Sequence, residues 1–233
     1  MEPHYSSYLI FNEGYAATRG ETIVREDLCA EAIRLGRLMK VLMEPNPPAE
    51  AIALLALMLL HDSRRDARLD AAGDLILLED QDRRLWHRSQ IAEALPLGEE
   101  ALRAGVPNSF SLQAAIAALH CQAPRAEDTD WKQIVRLYDF LERVQPSPIV
   151  SLNRAVAIAM INGAEAALLL LDAISSELDS YHLFHAARAD LLRRIGNVKE
   201  SAKSYKRAIA LVANDNECRF LARRLDELQS LMR

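Results

Sequence analysis

The densest group of side chains able to do chemistry follows an apolar stretch that ends near residue 60. It comprises His61, Asp62, Arg64, Arg65 and Arg68. An adjacent histidine and aspartate can bind a metal ion or move a proton, and arginines pair with carboxylates through parallel hydrogen bonds. A second group of both signs follows along the chain: Glu79, Asp80, Asp82, Arg83 and Arg84. A chain reversal between the two groups would bring opposite charges together.

Two interpretations of these charged groups are open. They form either a ligand or partner site beside Asn12, Glu13 and Tyr15, or a buried salt-bridge network that holds the intervening segment against the helices. Metal-dependent hydrolysis would need a second ligand motif, and neither His87 nor His120 lies in one. The sequence therefore predicts no catalytic residue, no metal and no cofactor.

Helices must position these groups, because apolar residues recur at helical spacing along most of the chain. Leu28, Ala32, Leu35, Met39 and Leu42 form one such stripe. Prolines at positions 45, 47 and 48 end that helix and open the next one. Residues 67–78 (ARLDAAGDLILL) differ, since a turn-rich DAAGD lies between short apolar segments. They predict a small β-hairpin.

The second half of the chain contains an internal repeat. Apolar stripes open at Thr129, Gly163 and Gly196, and a further helix precedes each stripe. This nearly constant interval is typical of tetratricopeptide (TPR) repeats, with a generic helical bundle as the alternative. A final amphipathic helix, 214–231, would cap the array. We therefore expect a mainly α fold, a TPR-like array of helical hairpins with about eleven helices and one β-hairpin near 67–78.

Three further candidates lie on the first helices of the predicted hairpins: Asn153, Arg154 and Arg188. First helices line the concave groove of a TPR array, where such side chains can hold a peptide backbone or a carboxylate. Solvent exposure or pairing within the chain is the alternative. These residues are predicted as partner-binding candidates.

Composition excludes several classes of protein. The three cysteines among the 233 residues, Cys29, Cys121 and Cys218, are too far apart in sequence for a zinc ribbon or finger. The net charge of −5 does not suit a chain that wraps nucleic acid. Residues 1–124 carry a net charge of −6, whereas residues 188–233 carry +5. The longest apolar run, 51–60, is too short to span a bilayer, and no signal peptide is visible, so we expect a cytoplasmic protein.

Several sequence blocks resemble one known family. The most specific are FNEGY (residues 11–15), LLHDSRR (59–65) and LLEDQDR (77–83), and weaker blocks cover essentially the whole chain. Together they resemble the C-terminal extension of extracytoplasmic-function (ECF) sigma factors that carry a TPR domain. The family-specific blocks fall in 1–108 and the repeats in 109–233, so we expect these two domains, stacked as one continuous unit.

The resemblance implies a regulatory and protein-interaction domain in transcription initiation, with no enzymatic activity. In that family, regions that bind RNA polymerase and promoter DNA precede the extension, and this chain lacks them. Either the chain is truncated, which we expect, or the extension occurs alone. The implied partners are those N-terminal regions, RNA polymerase or both. No direct contact with nucleic acid or membrane is expected. Whether the chain forms a homodimer is left open. Two alternatives remain: a stand-alone enzyme or small-molecule sensor using His61, Asp62, Glu79 and Asp80, and a free TPR adaptor.

Overall fold

The structure, a computed structural model, describes residues 9–12 and 26–230, and these are mainly helical. This confirms the mainly helical part of the predicted fold. Residues 9–12 are helical, and ten longer helices follow, in agreement with the expected number. The longer helices are α1 (Glu26–Leu42), α2 (Ala49–Asp62), α3 (Arg88–Arg103), α4 (Ser109–Gln122), α5 (Trp131–Val144), α6 (Pro148–Asn162), α7 (Ala164–Ala173), α8 (His182–Arg194), α9 (Val198–Leu211) and α10 (Asp215–Ser230).

The chain divides into two compact units, unit 1 (Met1–Asp130) and unit 2 (Trp131–Arg233). Helix α4, which the sequence places first in the second domain, lies in unit 1 and packs on α2. The domain boundary at 108/109 was drawn from sequence blocks and stays a prediction. Among the described residues, no helix combines the length and apolar character needed to cross a membrane.

Helix α2 forms the centre of unit 1. Every residue from Ala51 to Leu60 is buried, so this helix is apolar on all its faces. Such a helix is stable in water only when neighbours cover it on all sides. Helices α1, α3 and α4 pack against it. The polar residues that follow Leu60 therefore lie at the end of a helix that other helices surround.

The β-hairpin predicted at 67–78 is not formed. One isolated antiparallel bridge joins Leu69 and Leu75, and the described residues contain no strand. The Asp70 carboxylate accepts hydrogen bonds from the backbone N–H groups of Ala72 and Asp74, each at 2.9 Å. Two backbone hydrogen bonds, from Asp70 N–H to Asp74 and from Ile76 N–H to Arg68, complete a tight loop. Residues 75–78 are all half-buried rather than alternating between two faces. Without that alternation, a two-stranded ladder has no favoured register.

Unit 2 is built from helices at a regular sequence interval. Helices α5, α7 and α9 begin at positions 131, 164 and 198, and helices α6, α8 and α10 begin at positions 148, 182 and 215. Each helix packs on the next, and α6 also contacts α8. Gly163 and Gly196 have φ values of +88° and +74°, a conformation that residues with a Cβ rarely adopt. The helix starts therefore follow the period predicted from the sequence.

The last helix has the expected amphipathic form. The Asn214 side chain accepts from the backbone N–H groups of Asn216 and Glu217 at 3.0 and 3.2 Å, which caps the N-terminus of α10. Leu221, Leu225 and Leu228 are buried along one face. They pack with Tyr205 and Ala208 of α9 and close the core of the last hairpin.

Candidate functional site

Asp62 is the centre of a closed polar cluster, which we define as His61, Asp62, Arg64, Arg65 and Gln90. The Asp62 carboxylate is 1% exposed. One of its oxygens, Oδ2, accepts from Arg65 Nη1 and from Gln90 Nε2, both at 2.7 Å. Gln90 belongs to the first turn of α3, so this hydrogen bond ties α3 to the end of α2. A buried carboxylate is tolerated only with such partners.

His61 is held as a neutral imidazole in the polar cluster. Arg64 Nη2 lies 2.9 Å from His61 Nδ1. Because a guanidinium has only donors, the histidine nitrogen accepts this hydrogen bond. Burial, and then the positive charges of Arg64 and Arg68, hold the pKa of His61 well below its usual value of 6.5. A neutral, half-buried imidazole that accepts a hydrogen bond from a guanidinium has packing as its simplest role.

Arg83 joins the cluster region to the end of α4. Its Nη1 donates to the backbone carbonyls of His120 at 2.6 Å and Ala123 at 2.8 Å, and its guanidinium lies 4.4 Å from the centre of the Trp86 ring. A cation at the C-terminus of a helix is favoured by unpaired carbonyls and by the helix dipole. Burial, Arg64 and Arg83 lower the pKa of His120 to about 4. Arg83 therefore acts as a buried helix cap.

Arg68 lies near the cluster, where its charge acts on His61, but Glu79, Asp80 and Asp82 do not gather around Asp62. Glu79 and Asp80 are exposed in the loop before the 3₁₀ turn Arg83–Leu85. Asp82 caps that turn and accepts from Arg84 Nη2 at 2.7 Å, and these hydrogen bonds lower the pKa of Asp82 to about 2. These charge pairs are thus local in sequence: Asp62 with Arg65, and Asp82 with Arg84.

Three predicted candidates lie in the N-terminal block. Asn12 is helical and exposed, whereas Glu13 and Tyr15 lie outside the described residues.

Throughout residues 9–12 and 26–230, no group of three or more His, Cys, Asp or Glu side chains is arranged to hold a metal ion.

Two arginines of unit 2 repeat the same contact one period apart. Arg154 Nε of α6 donates to Asp139 at 2.7 Å and lies 3.5 Å from Glu142, both on α5. Arg188 holds the same place on α8, one period later, and donates to Asp172 of α7. Each arginine therefore ties its helix to the preceding one. The sequence left two alternatives to partner binding for these side chains, solvent exposure and pairing within the chain. Arg154 and Arg188 are paired within the chain.

Asn153 lies instead on an exposed stripe, which we define as Ile149, Asn153, Val156, Met160 and Leu183. The first four are spaced by four, three and four positions, so they share one face of α6. Ile149, Val156, Met160 and Leu183 are 36–44% exposed. Leu183 is the second residue of α8, as Ile149 is the second residue of α6, so the two hold the same place in successive periods. Arg194 Nη1 of α8 lies 3.5 Å from Met160 Sδ, which places the two helices side by side here.

A charged groove of about 410 Å³ lies among the end of α7, α8 and α9. Its charged lining consists of Asp172, Asp179, Arg188, Lys203 and Arg207. Phe184 contributes an apolar edge, and Ser175 and Ser204 contribute hydroxyl groups. Arg207 Nη2 donates to the Asp179 carboxylate at 3.0 Å. Among the residues predicted from sequence, only Arg188 belongs to this groove; the α9 cations were signalled only by the basic balance of residues 188–233.

Comparison with known proteins covers both units. Residues 5–102 match the model of a family of unknown function, DUF6596. An uncharacterized protein of Rhizobium meliloti (strain 1021) is 48% identical over 221 residues, which are 95% of this chain and 52% of that protein. The chain thus spans about half the length of this relative. The family match includes the polar cluster and ends before α4, whereas the similarity to the relative extends through unit 2.

Proposed function

We propose that this chain is the TPR-type regulatory and protein-interaction domain of an ECF-type RNA polymerase sigma factor, acting in the cytoplasm. The exposed stripe on α6 and α8 carries the proposal. Contiguous apolar side chains on a surface favour contact with another protein. Repeated helical hairpins present such stripes side by side, and TPR-type arrays use them as binding surfaces.

The pairing of charges within unit 2 supports this use of the stripe. Arg154 and Arg188 are engaged by Asp139 and Asp172 of the preceding helices, so they brace the array. Asn153 lies between Ile149 and Val156 with its side chain exposed. An exposed amide between apolar side chains can bind the backbone of a peptide, and the apolar neighbours can bind its side chains.

The sigma-factor part of the proposal is supported by the blocks FNEGY, LLHDSRR and LLEDQDR, which resemble the family extension. The Rhizobium meliloti relative is consistent with it, because almost half of that protein has no counterpart in this chain. Residues 1–130 carry 13 basic and 21 acidic side chains, a net charge of −8. An acidic block of this kind suits the masking of basic DNA-binding regions.

The polar cluster favours this proposal over an enzyme or a small-molecule sensor. Asp62 is buried and bonded to Arg65 and Gln90, and the imidazole of His61 faces Arg64. Glu79 and Asp80, the other members of the alternative site, are exposed and lie on a separate loop. Catalysis or ligand sensing by these four residues would require them to converge.

The test measures binding of the full 233-residue chain to two immobilised ligands. One is the part of the Rhizobium meliloti relative that this chain does not match, and the other is core RNA polymerase. We expect binding to at least one of them. Val156→Glu, which places a charge in the middle of the exposed stripe, should weaken that binding by about tenfold or more.

Leu169→Glu is the matched control, because Leu169 is 73% exposed on α7 and lies outside the stripe. This variant should bind like the unaltered chain. Absence of binding to both ligands would contradict the sigma-factor proposal. If Val156→Glu and Leu169→Glu weaken binding equally, the exposed stripe is not the binding surface.

A further inference from the structure

We propose that the charged groove between α7, α8 and α9 binds an acidic peptide segment in an extended conformation, with carboxylates at alternate positions. This site is separate from the exposed stripe and does not depend on the resemblance to sigma factors. Its ligand chemistry is a pair of side-chain carboxylates seated on Lys203 and Arg207, beside Arg188.

The cations of the groove retain donors for a ligand. Lys203 donates through Nζ to Glu200 Oε1 at 2.7 Å, and its ammonium group has three N–H groups in all. Arg188 donates through Nη1 to Asp172, and Arg207 donates through Nη2 to Asp179. Each guanidinium has five N–H groups, so most of its donors are left over after these contacts. Asp172 and Asp179 are 56% and 68% exposed, which leaves them room to rotate away when a carboxylate enters.

The preceding period of the same array has no cations at the corresponding positions. It keeps the structural pair, Asp139 with Arg154, in the place of Asp172 with Arg188. Helix α7, which begins at position 164, is the counterpart of α9, which begins at position 198. In this alignment the α9 residues Lys203, Ser204 and Arg207 correspond to Leu169, Leu170 and Ala173 of α7. The scaffold therefore tolerates apolar residues there, and the two cations of α9 are additions to the repeat.

The spacing of the cations selects an extended acidic segment. Lys203 and Arg207 lie four positions apart on α9, which corresponds to about 6 Å along the helix axis. In an extended peptide, side chains at alternate positions lie on one face with a separation of about 6.6 Å. Two carboxylates at alternate positions therefore match the two cations. Adjacent carboxylates point to opposite faces and do not.

The charge pattern favours a peptide over a nucleic acid. The exposed face of α9 carries Lys199, Lys203, Lys206 and Arg207 against one acid, Glu200. In the groove, however, the carboxylates of Asp172 and Asp179 lie next to the cations Arg188 and Arg207. A continuous phosphate backbone would meet these carboxylates at close range, whereas discrete acidic side chains can avoid them.

The experiment uses fluorescence polarisation with the full chain and two labelled peptides of identical composition. The peptide GVEVEVG has its two glutamates at alternate positions, and GVEEVVG has them adjacent. We expect the alternating peptide to bind about fivefold more tightly or better. Its affinity should fall as salt is raised, because exposed charges are screened.

Two groove variants and one control sharpen this measurement. Arg207→Glu should weaken binding of the alternating peptide by about tenfold or more. Lys206→Glu makes the same charge change at the neighbouring exposed position outside the groove lining, and its effect should stay within about twofold. Asp179→Asn removes an internal competitor for Arg207 and should tighten binding, which damage to the fold cannot do. Circular dichroism establishes that each variant is folded.

Several results would overturn the proposal. Equal affinity for the two peptides would contradict the preference for carboxylates at alternate positions. Equal weakening by Arg207→Glu and Lys206→Glu would mean that binding results from general charge attraction. Tighter binding of a single-stranded oligonucleotide than of the alternating peptide would make the ligand a nucleic acid. Displacement of the peptide by an equal concentration of succinate would make it a small dicarboxylate.

Discussion

The polar cluster of unit 1 and the charged groove of unit 2 both contain aspartate–arginine pairs, but the aspartates differ in their exposure to water. Asp62 is 1% exposed, whereas Asp172 and Asp179 are 56% and 68% exposed. A buried carboxylate must keep its partners, because losing one leaves an unsatisfied charge in a low dielectric. An exposed carboxylate can exchange its partner for water or for a ligand at small cost. The same aspartate–arginine pair therefore serves the fold in one place and leaves a surface adaptable in the other.

The largest effect is expected for Asp62→Ala in the polar cluster. This substitution leaves Arg65 and Gln90 without their shared acceptor, so the free energy of unfolding should fall by about 3 kcal/mol. Urea denaturation followed by circular dichroism measures the change. A decrease in the free energy of unfolding below about 1 kcal/mol would mean that Asp62 contributes no more than the exposed pairs do. The contrast between the polar cluster and the charged groove would then be wrong.

Acid should weaken the protein through two half-buried histidines, His61 and His120. The pKa of His120 is about 4 in the folded chain, against 6.5 as the usual value, and that of His61 is also lowered. The unfolded chain therefore binds more protons below pH 6.5, and stability is lost as the pH falls from about 6.5 towards 4. Between pH 7 and pH 5 the loss from His120 is about 2 kcal/mol.

Urea midpoints at these two pH values provide the measurement, with His120→Gln as the variant. The variant should be less sensitive to pH than the unaltered chain. If both chains show the same pH dependence, His120 is not buried as a neutral group.

Arg83 and Arg84 are neighbours in sequence and offer a matched pair of variants. Arg83→Leu removes two hydrogen bonds to the carbonyls at the end of α4 and the contact with Trp86, at a cost of about 2 kcal/mol. Arg84 is 90% exposed and pairs with Asp82 on the surface, so Arg84→Leu should cost less than about 0.5 kcal/mol. Similar losses for both variants would show that burial of Arg83 does not determine its contribution.

A small effect is also expected at the charged groove. Asp172→Ala removes the partner of Arg188, but both groups can turn to water, so the loss should be below about 1 kcal/mol. A double-mutant cycle with Arg188→Ala measures the coupling between them. A coupling as large as the effect of Asp62→Ala would mean that the groove is a rigid structural element, and Asp179→Asn should then fail to improve peptide binding.

Much of the fold was predictable because helical periodicity is a local property. The apolar run 51–60, the stripe that begins at Leu28 and the glycine turns at Gly163 and Gly196 all lie where helices or turns are found. The β-hairpin at 67–78 was predicted wrongly. Its DAAGD turn does form, but Asp70 satisfies the loop backbone itself, and residues 75–78 do not alternate between a buried and an exposed face.

The candidate sites were less predictable, because their partners are distant in sequence. His61 and Asp62 stood out as a motif, yet Gln90, which holds Asp62, lies 28 residues away with no motif of its own. Arg83 was visible as part of a charged block, but its carbonyl partners lie 37 and 40 residues further on. Arg154 and Arg188 were correctly placed one period apart. Their aspartate partners depend on which helices pack together.

By itself, the sequence determined the mainly helical fold, the interval between the repeated helices and the charge difference between the two halves, because side-chain spacing and composition are local quantities. Only the tertiary structure decided which of these charges are buried and which remain accessible. Burial depends on the neighbours that packing brings to a side chain, and these come from other helices. The HDSRR segment is therefore a closed cluster, whereas Lys203 and Arg207, inconspicuous in the sequence, line an open groove.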